Sequence, residues 1–149
     1  MPTLYMDLLD TEPLCVLRYD SANIPAFIPA LLASDGFVSV TRTPANELSI
    51  ICAEEKYRGY AQDSPAQKTM GGWLALKVRG PLDFALVGIL AKIATTLADA
   101  GVSIFAMSTY DTDYVLVRKD HAAAAVKALN ATDGISCAVA SEAAAADGK

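Results

Sequence analysis

The segment that decides the fold is residues 80–117, GPLDFALVGILAKIATTLADAGVSIFAMSTYDTDYVLV. Gly80-Pro81 interrupts regular structure, and Asp83 is a suitable N-cap for a helix that runs to about residue 100. Gly101 suits the position just after the helix. Apolar side chains recur at three- and four-residue spacing on one helix face, namely Leu86, Leu90, Ile93 and Leu97.

Strands are predicted on both sides of this helix. Residues 73–79 alternate apolar and polar side chains, and residues 102–107 and 112–118 are rich in β-branched and aromatic types. A second helix over 121–130 and a last strand from residue 135 complete the order strand, helix, strand, strand, helix, strand. This order predicts an α+β, ferredoxin-like (βαββαβ) module, an antiparallel sheet with both helices on one face and strand order 4-1-3-2. Strand 102–107 then lies at an apolar edge, which predicts a partner sheet.

An internal similarity suggests that this plan occurs twice. Residues 36–55 and 101–120 each read as glycine, strand, Thr-containing turn, strand and charges, and each follows a strand and a helix. We therefore predict two tandem modules, with the first copy abbreviated and its missing fourth strand supplied by residues 4–9. The expected division is an N-terminal module at 1–62, a linker at 63–72, a C-terminal module at 73–140 and a mobile tail at 141–149.

Composition narrows the class of protein. With 149 residues, 53% of them hydrophobic, the chain is apolar enough to fold and to place some of its surface against another subunit. A net charge of −5 argues against nucleic acid and anionic membranes. The N-terminus lacks the basic region of a signal peptide, and charges interrupt the apolar stretch 84–107, so we expect a cytoplasmic protein with no membrane association.

The sequence also lacks the usual marks of an enzyme. Its one histidine, His121, starts an alanine-rich helix, and no nucleotide-binding or nucleophile motif is present. The three cysteines, Cys15, Cys52 and Cys137, are widely spaced and read as reduced, buried thiols. We expect no catalysis, no cofactor and no metal.

Two features could hold a small ligand. The turn Ser108-Thr109-Tyr110-Asp111-Thr112-Asp113 groups two carboxylates, three hydroxyls and a phenol, and segment 80–88 offers unpaired backbone N–H groups at a helix start. Either feature could equally be an ordinary hairpin turn or helix start. Together they suit a free amino acid, whose carboxylate needs N–H donors and whose ammonium needs an acceptor.

Residues 80–117 resemble the ACT domains of small bacterial and fungal tandem-ACT proteins, whose modules are similar to those of the arginine-sensing CASTOR proteins. The segment STYDTDY after a G-V-S-I strand carries the resemblance most specifically. It implies paired ACT modules whose edge strands join side by side, a homodimer, and an amino-acid effector between the loop and helix start of one module and the second strand of its neighbour. The ligand-binding residues that it implies are Asp83, Val87, Gly88, Ile89, Ser103, Ile104, Tyr110 and Asp113.

The identity of the amino acid stays open at this point. Leu86-Val87 stand where the arginine sensors place an acidic residue before the glycine, so a smaller or apolar amino acid is an alternative to arginine. The predicted function is a non-enzymatic, amino-acid-binding regulatory module. The alternative is a protein–protein interaction module with a vestigial ligand site.

Overall fold

The computed structural model describes residues 3–80 and 87–140. Contacts divide the chain into a continuous unit, residues 12–72, and a discontinuous unit, the described residues of 1–11 and 73–149. The predicted tail at 141–149 and Asp83 lie outside the described residues. The elements in chain order are β1 (Leu4–Leu9), β2 (Leu14–Asp20), α1 (Ile28–Ala33), β3 (Ser39–Arg42), β4 (Glu47–Ala53), α2 (Glu54–Tyr60), β5 (Lys68–Val78), α3 (Ile89–Asp99), β6 (Ile104–Ser108), β7 (Asp113–Arg118), a 3-10 turn (Lys119–His121), α4 (Ala122–Asn130) and β8 (Ile135–Ala140).

In the discontinuous unit the N-terminal strand occupies an unexpected place. The strand order is β6-β7-β5-β1-β8, with β1 antiparallel to β5 and parallel to β8. The prediction that residues 4–9 complete the first copy is therefore wrong, and the expected 4-1-3-2 order is changed by one inserted strand. The insertion is favourable because Leu4, Met6 and Leu8 alternate along β1 and all enter the core of this unit.

That core confirms the predicted ferredoxin-like layering. Ile89, Ile93 and Leu97 of α3 belong to the same buried cluster as Ala125 and Leu129 of α4. Alternate residues of the sheet complete the cluster, including Leu74, Leu76, Val78, Val115 and Val117. Both helices therefore cover one face of the sheet, as the spacing of apolar residues predicts.

The continuous unit has the strand order β3-β4-β2-β5. Its core joins Leu17 and Ile50 from the sheet to Leu31 of α1, and Phe27 stacks on Tyr60 with ring centroids 4.5 Å apart. Because β5 begins at Lys68, the second half of the predicted linker 63–72 is a strand.

The beginning of β5 adds a strand beside β2 to the sheet of the continuous unit, where the sequence predicts a linker. Gln67 N donates to the carbonyl of Arg18 at 2.8 Å, which brings this segment alongside β2. The sequence hides the strand because KTMGG has the composition of a linker, whereas ladder hydrogen bonds need only the backbone.

The two outer strands of the discontinuous unit differ. On β8, the Asn130 side chain pairs with the backbone of Cys137: its Nδ2 donates to the carbonyl at 2.9 Å, and Cys137 N donates to its Oδ1 at 2.8 Å. Among the described strands, β6 pairs with β7 alone. The edge of β8 is thus partly covered by a side chain, as expected of a protected edge strand.

Within the described ranges 3–80 and 87–140, the helices are all too short or too polar to cross a bilayer.

Candidate functional site

The turn between β6 and β7 is held by a set of hydroxyl hydrogen bonds. Ser108 Oγ donates to Asp113 Oδ1 at 2.5 Å, and Thr109 N donates to the carbonyl of Thr112 at 2.8 Å. The buried hydroxyl of Thr112 donates to the carbonyl of Val78 at 2.7 Å. This last bond attaches the turn to the end of β5. The Asp113 carboxylate is thus held by Ser108 within a turn that is itself fixed to the sheet.

The start of α3 lies later in the chain than predicted. The helix begins at Ile89, whereas the sequence places its start just after Asp83. The reason is Gly88, which adopts the left-handed conformation with φ +80° and ψ 0° and so cannot continue a right-handed helix. No side chain of the described residues caps this helix start. The other end agrees with the prediction, since Ala100 is the C-cap and Gly101 has a φ of +74°.

Replacing Gly88 tests the importance of this backbone conformation. A Cβ at Gly88 would meet no atom of the described residues within 4 Å, so the expected cost of Gly88→Ala is conformational and not steric. We expect the free energy of unfolding to fall by about 1–2 kcal/mol, the cost of a left-handed conformation for an L-residue with a side chain. Urea unfolding followed by circular dichroism measures the change.

Gly59 is the matched control for that substitution. It lies within α2, and a Cβ there also meets nothing within 4 Å in the described part of the chain, but its backbone is helical. Gly59→Ala should therefore raise the free energy of unfolding by about 0.5–1 kcal/mol. Effects of the same sign for the two variants would contradict the conformational explanation.

The predicted ligand-binding residues separate into two groups along β6. Val87 and Gly88 lie just before α3 in the chain. The chain reaches them from the Val78 end of β5, and the same end of β5 is hydrogen-bonded to Thr112 of the turn. Tyr110, in that turn, is 83% exposed. Ser103 and Ile104 instead lie at the other end of β6, because Ile104 pairs with Val117 whereas Ser108 pairs with Asp113.

The two ends of β6 are farther apart than the carboxylate and ammonium groups of a free amino acid. Four residue steps from Ile104 to Ser108 correspond to about 13 Å of extended chain. A single unit therefore does not bring Ser103 and Ile104 together with Asp113. Ile89 and Ile104 also pack against the core, so the groups they offer a ligand are on the backbone.

Sequence reasoning missed the two residues that position Asp113. Ser108 and Thr112 belong to the quoted turn, but only their pairing across the hairpin shows which hydroxyl bonds to Asp113 and which to β5. A hairpin register drawn from the sequence places Ser108 opposite Asp113, and this signal could have identified the first of them. Within the part of the chain that the structure describes, no three His, Cys, Asp or Glu side chains are grouped as metal ligands.

Comparison with known proteins indicates the class. Residues 69–131 match the ACT domain family, so this part of the chain is similar to an ACT domain, and the resemblance seen in the sequence is confirmed.

Among characterised relatives, the chain is similar to the cytosolic arginine sensor for mTORC1 subunit 1 of Rattus norvegicus. The two are 28% identical over 143 residues, which cover 80% of this chain and 42% of that protein. The chain thus spans less than half the length of this relative.

Solved structures support the same fold. A crystal structure of a protein from Agobacterium tumefaciens matches with a TM-score of 0.74 and 29% identity, covering 94% of this chain and 96% of the other. The ligand-free regulatory subunit of aspartate kinase from Thermus thermophilus matches with a TM-score of 0.57 over 83% of this chain and 93% of its own. At 12% identity, this second likeness concerns the fold alone.

Proposed function

We propose that the protein is a non-catalytic regulatory module that binds a free amino acid between ACT modules. One observation carries the proposal: Ser108 fixes the Asp113 carboxylate in a turn that Thr112 joins to the end of β5, and the chain leaves that end of β5 toward the start of α3, which no described side chain caps. An acceptor and a set of backbone donors are thus available to the two poles of a zwitterion. The similarity to a protein named as an arginine sensor supports the same ligand class.

The charges of the two groups explain where the carboxylate and the ammonium of the amino acid would bind. A helix start presents unpaired N–H groups and a partial positive charge, which favour the ligand's carboxylate. Asp113 accepts one hydroxyl bond at Oδ1, and a carboxylate can accept several hydrogen bonds at once, so it can also take the ammonium. Gly88 allows a ligand to approach the backbone closely because it has no side chain.

A second copy of the module completes the site in this proposal. If two β6 strands pair antiparallel about Ala106, Ser103 and Ile104 of one copy lie beside the Ser108 end of the other. The 13 Å separation (about four strand residues) within one unit is then removed. Since Asn130 already covers part of the β8 edge, β6 is the edge that we expect to form the homodimer.

The two units themselves are proposed to be tandem copies of the ACT plan. The continuous unit runs β2-α1-β3-β4-α2-β5, and the discontinuous unit continues β5-α3-β6-β7-α4-β8. In this assignment, 12–72 replaces 1–62 as the first module, and β5 is shared in sequence between the copies. The name of the rat relative also supports a cytoplasmic location.

A panel of the twenty amino acids tests the proposal by thermal shift. A free amino acid has few atoms to hold, so a Kd between about 1 μM and 1 mM is expected, and millimolar ligand should raise Tm measurably. Asp113→Asn retains an acceptor for Ser108 and removes the negative charge. We expect this variant to lose the shift.

The matched control is Asp111→Ala, which changes the charge of the same turn at an exposed position. It should keep the thermal shift. If no amino acid at millimolar concentration changes Tm, or if the shift persists in Asp113→Asn, amino-acid binding at this site is wrong.

A second candidate function is a protein-interaction module. It is favoured by two large side chains at the same end of the unit, Val87 at 81% and Tyr110 at 83% exposure. A partner recovered equally with and without amino acids, and lost from a Tyr110→Ser variant, would favour this function over amino-acid sensing.

A further inference from the structure

Two cysteines face each other inside the continuous unit. Cys15 on β2 lies directly opposite Cys52 on β4 in the antiparallel register, and both belong to the buried cluster that includes Leu17 and Ile50. The two side chains therefore point to the same face of the sheet. Two cysteines that face each other across neighbouring strands differ from the widely spaced thiols that the sequence suggests.

The spacing of the two strands suits a covalent bond. Directly opposite residues of an antiparallel pair have Cα atoms about 4.5–5.5 Å apart. Disulfides form across Cα separations of about 4.4–6.8 Å. No change of strand register is therefore needed to join Cys15 to Cys52.

The surroundings make the two thiols unequal. The hydrogen bond from Cys15 lowers the pKa of Cys52, and the nearby Lys56 ammonium lowers it further against the effect of burial. The same hydrogen bond and burial raise the pKa of Cys15. Because the thiolate is the nucleophile and the Lys56 ammonium favours it at Cys52, we expect the Cys52 sulfur to react first.

We propose that Cys15 and Cys52 are a redox-modification site that forms a reversible disulfide, with a peroxide as oxidant. The Cys52 thiolate attacks one peroxide oxygen and the O–O bond breaks, which gives a sulfenic acid at Cys52 and hydroxide that takes up a proton. The Cys15 sulfur then attacks Cys52 Sγ, and the S–O bond breaks. The hydroxyl leaves as water with the Cys15 proton. Two thiols and one hydrogen peroxide thus give one disulfide and two water molecules.

Burial determines which oxidants can act. Cys15 is 3% exposed and Cys52 is 1% exposed, so a small uncharged oxidant is favoured over a bulky charged disulfide. The new bond would join β2 to β4 and close the chain segment that contains α1 and β3. The inference concerns the continuous unit and does not depend on amino-acid binding.

Cys137 is an internal control for the reaction. It is also buried, but burial raises its pKa to about 11, and its register partner on β1 is Met6. It therefore combines a less reactive sulfur with a neighbour that cannot form a disulfide. We expect Cys52 to be modified at least about tenfold faster than Cys137.

The experiment oxidises the full chain with hydrogen peroxide, removes the oxidant, and then alkylates it under denaturing conditions with N-ethylmaleimide. Reduced protein should take up three alkyl groups, one for each cysteine. Oxidised protein should take up one, on Cys137, and its digest should contain a peptide linking Cys15 to Cys52. Dithiothreitol should restore all three alkylation sites.

Two variants test the order of the steps. Cys15→Ser should stop at a Cys52 sulfenic acid that dimedone traps, whereas Cys52→Ser should give no dimedone product at Cys15. The proposal fails if the wild type keeps three alkylatable thiols, if Cys137 of two chains is joined instead, or if the two variants react equally. The linked peptide of the wild type decides the matter even if a serine variant does not fold.

Discussion

Met6→Ala should lower the free energy of unfolding by about 2–5 kcal/mol, as expected for removing a large side chain from a packed core. Met6 is fully buried in the middle of β1, opposite Val78 on β5 and Cys137 on β8. Few other groups can move into the space, because strands lie on both sides. Urea unfolding followed by the fluorescence of Trp73, the single tryptophan of the chain and a residue of the same unit, measures the loss.

Tyr5→Ala is the control from the adjacent position. Tyr5 points to the other face of β1, is 51% exposed, and contacts the Arg79 guanidinium with 5.7 Å between the guanidinium carbon and the ring centroid. Its truncation should cost only about 0.5–1 kcal/mol. If Met6→Ala were no more destabilising than Tyr5→Ala, β1 would not be a structural strand of this unit.

The position of β1 in the sheet could not be predicted from the sequence. Alternation of Leu4, Met6 and Leu8 predicts a strand with one buried face, but it does not specify which sheet receives that strand. The partners, β5 and β8, lie far along the chain. Elements with local signals were predictable: the strand expected at 112–118 is found at Asp113–Arg118, and Gly101 follows α3 with the expected positive φ.

The candidate site was predictable in composition but not in arrangement. The acidic turn is visible in the sequence, and the structure shows how Ser108 and Thr112 fix it. The apolar spacing that runs through Leu86 and Leu90 predicts an earlier helix start, since periodicity alone does not reveal that Gly88 adopts a left-handed conformation. The distance along β6 depends on hairpin register, which the resemblance to ACT domains did not supply.

Arg79→Met should lower the free energy of unfolding, because it leaves the buried Asp7 carboxylate without its ionic partner. The guanidinium binds the Asp7 carboxylate through two hydrogen bonds of 2.9 Å, from Nε to Oδ2 and from Nη2 to Oδ1. The Asp7 side chain is 3% exposed, whereas that of Arg79 is 44% exposed. Methionine fills similar space but leaves a buried carboxylate without its ionic partner. The loss should be smaller than for a fully buried pair, because water can enter where the exposed guanidinium was.

A double substitution distinguishes the worth of the pair from the cost of an unpaired charge. Asp7→Leu with Arg79→Met removes both charges, and we expect its stability to return to within about 1 kcal/mol of the wild type. Arg79→Lys keeps the positive charge but loses the two-pronged geometry, so it should fall between the wild type and Arg79→Met. A double variant as unstable as Arg79→Met would mean that the ion pair itself stabilises the β1–β5 contact. Recovery would instead assign the loss to the isolated Asp7 carboxylate, whose burial follows directly from the insertion of β1 between two strands.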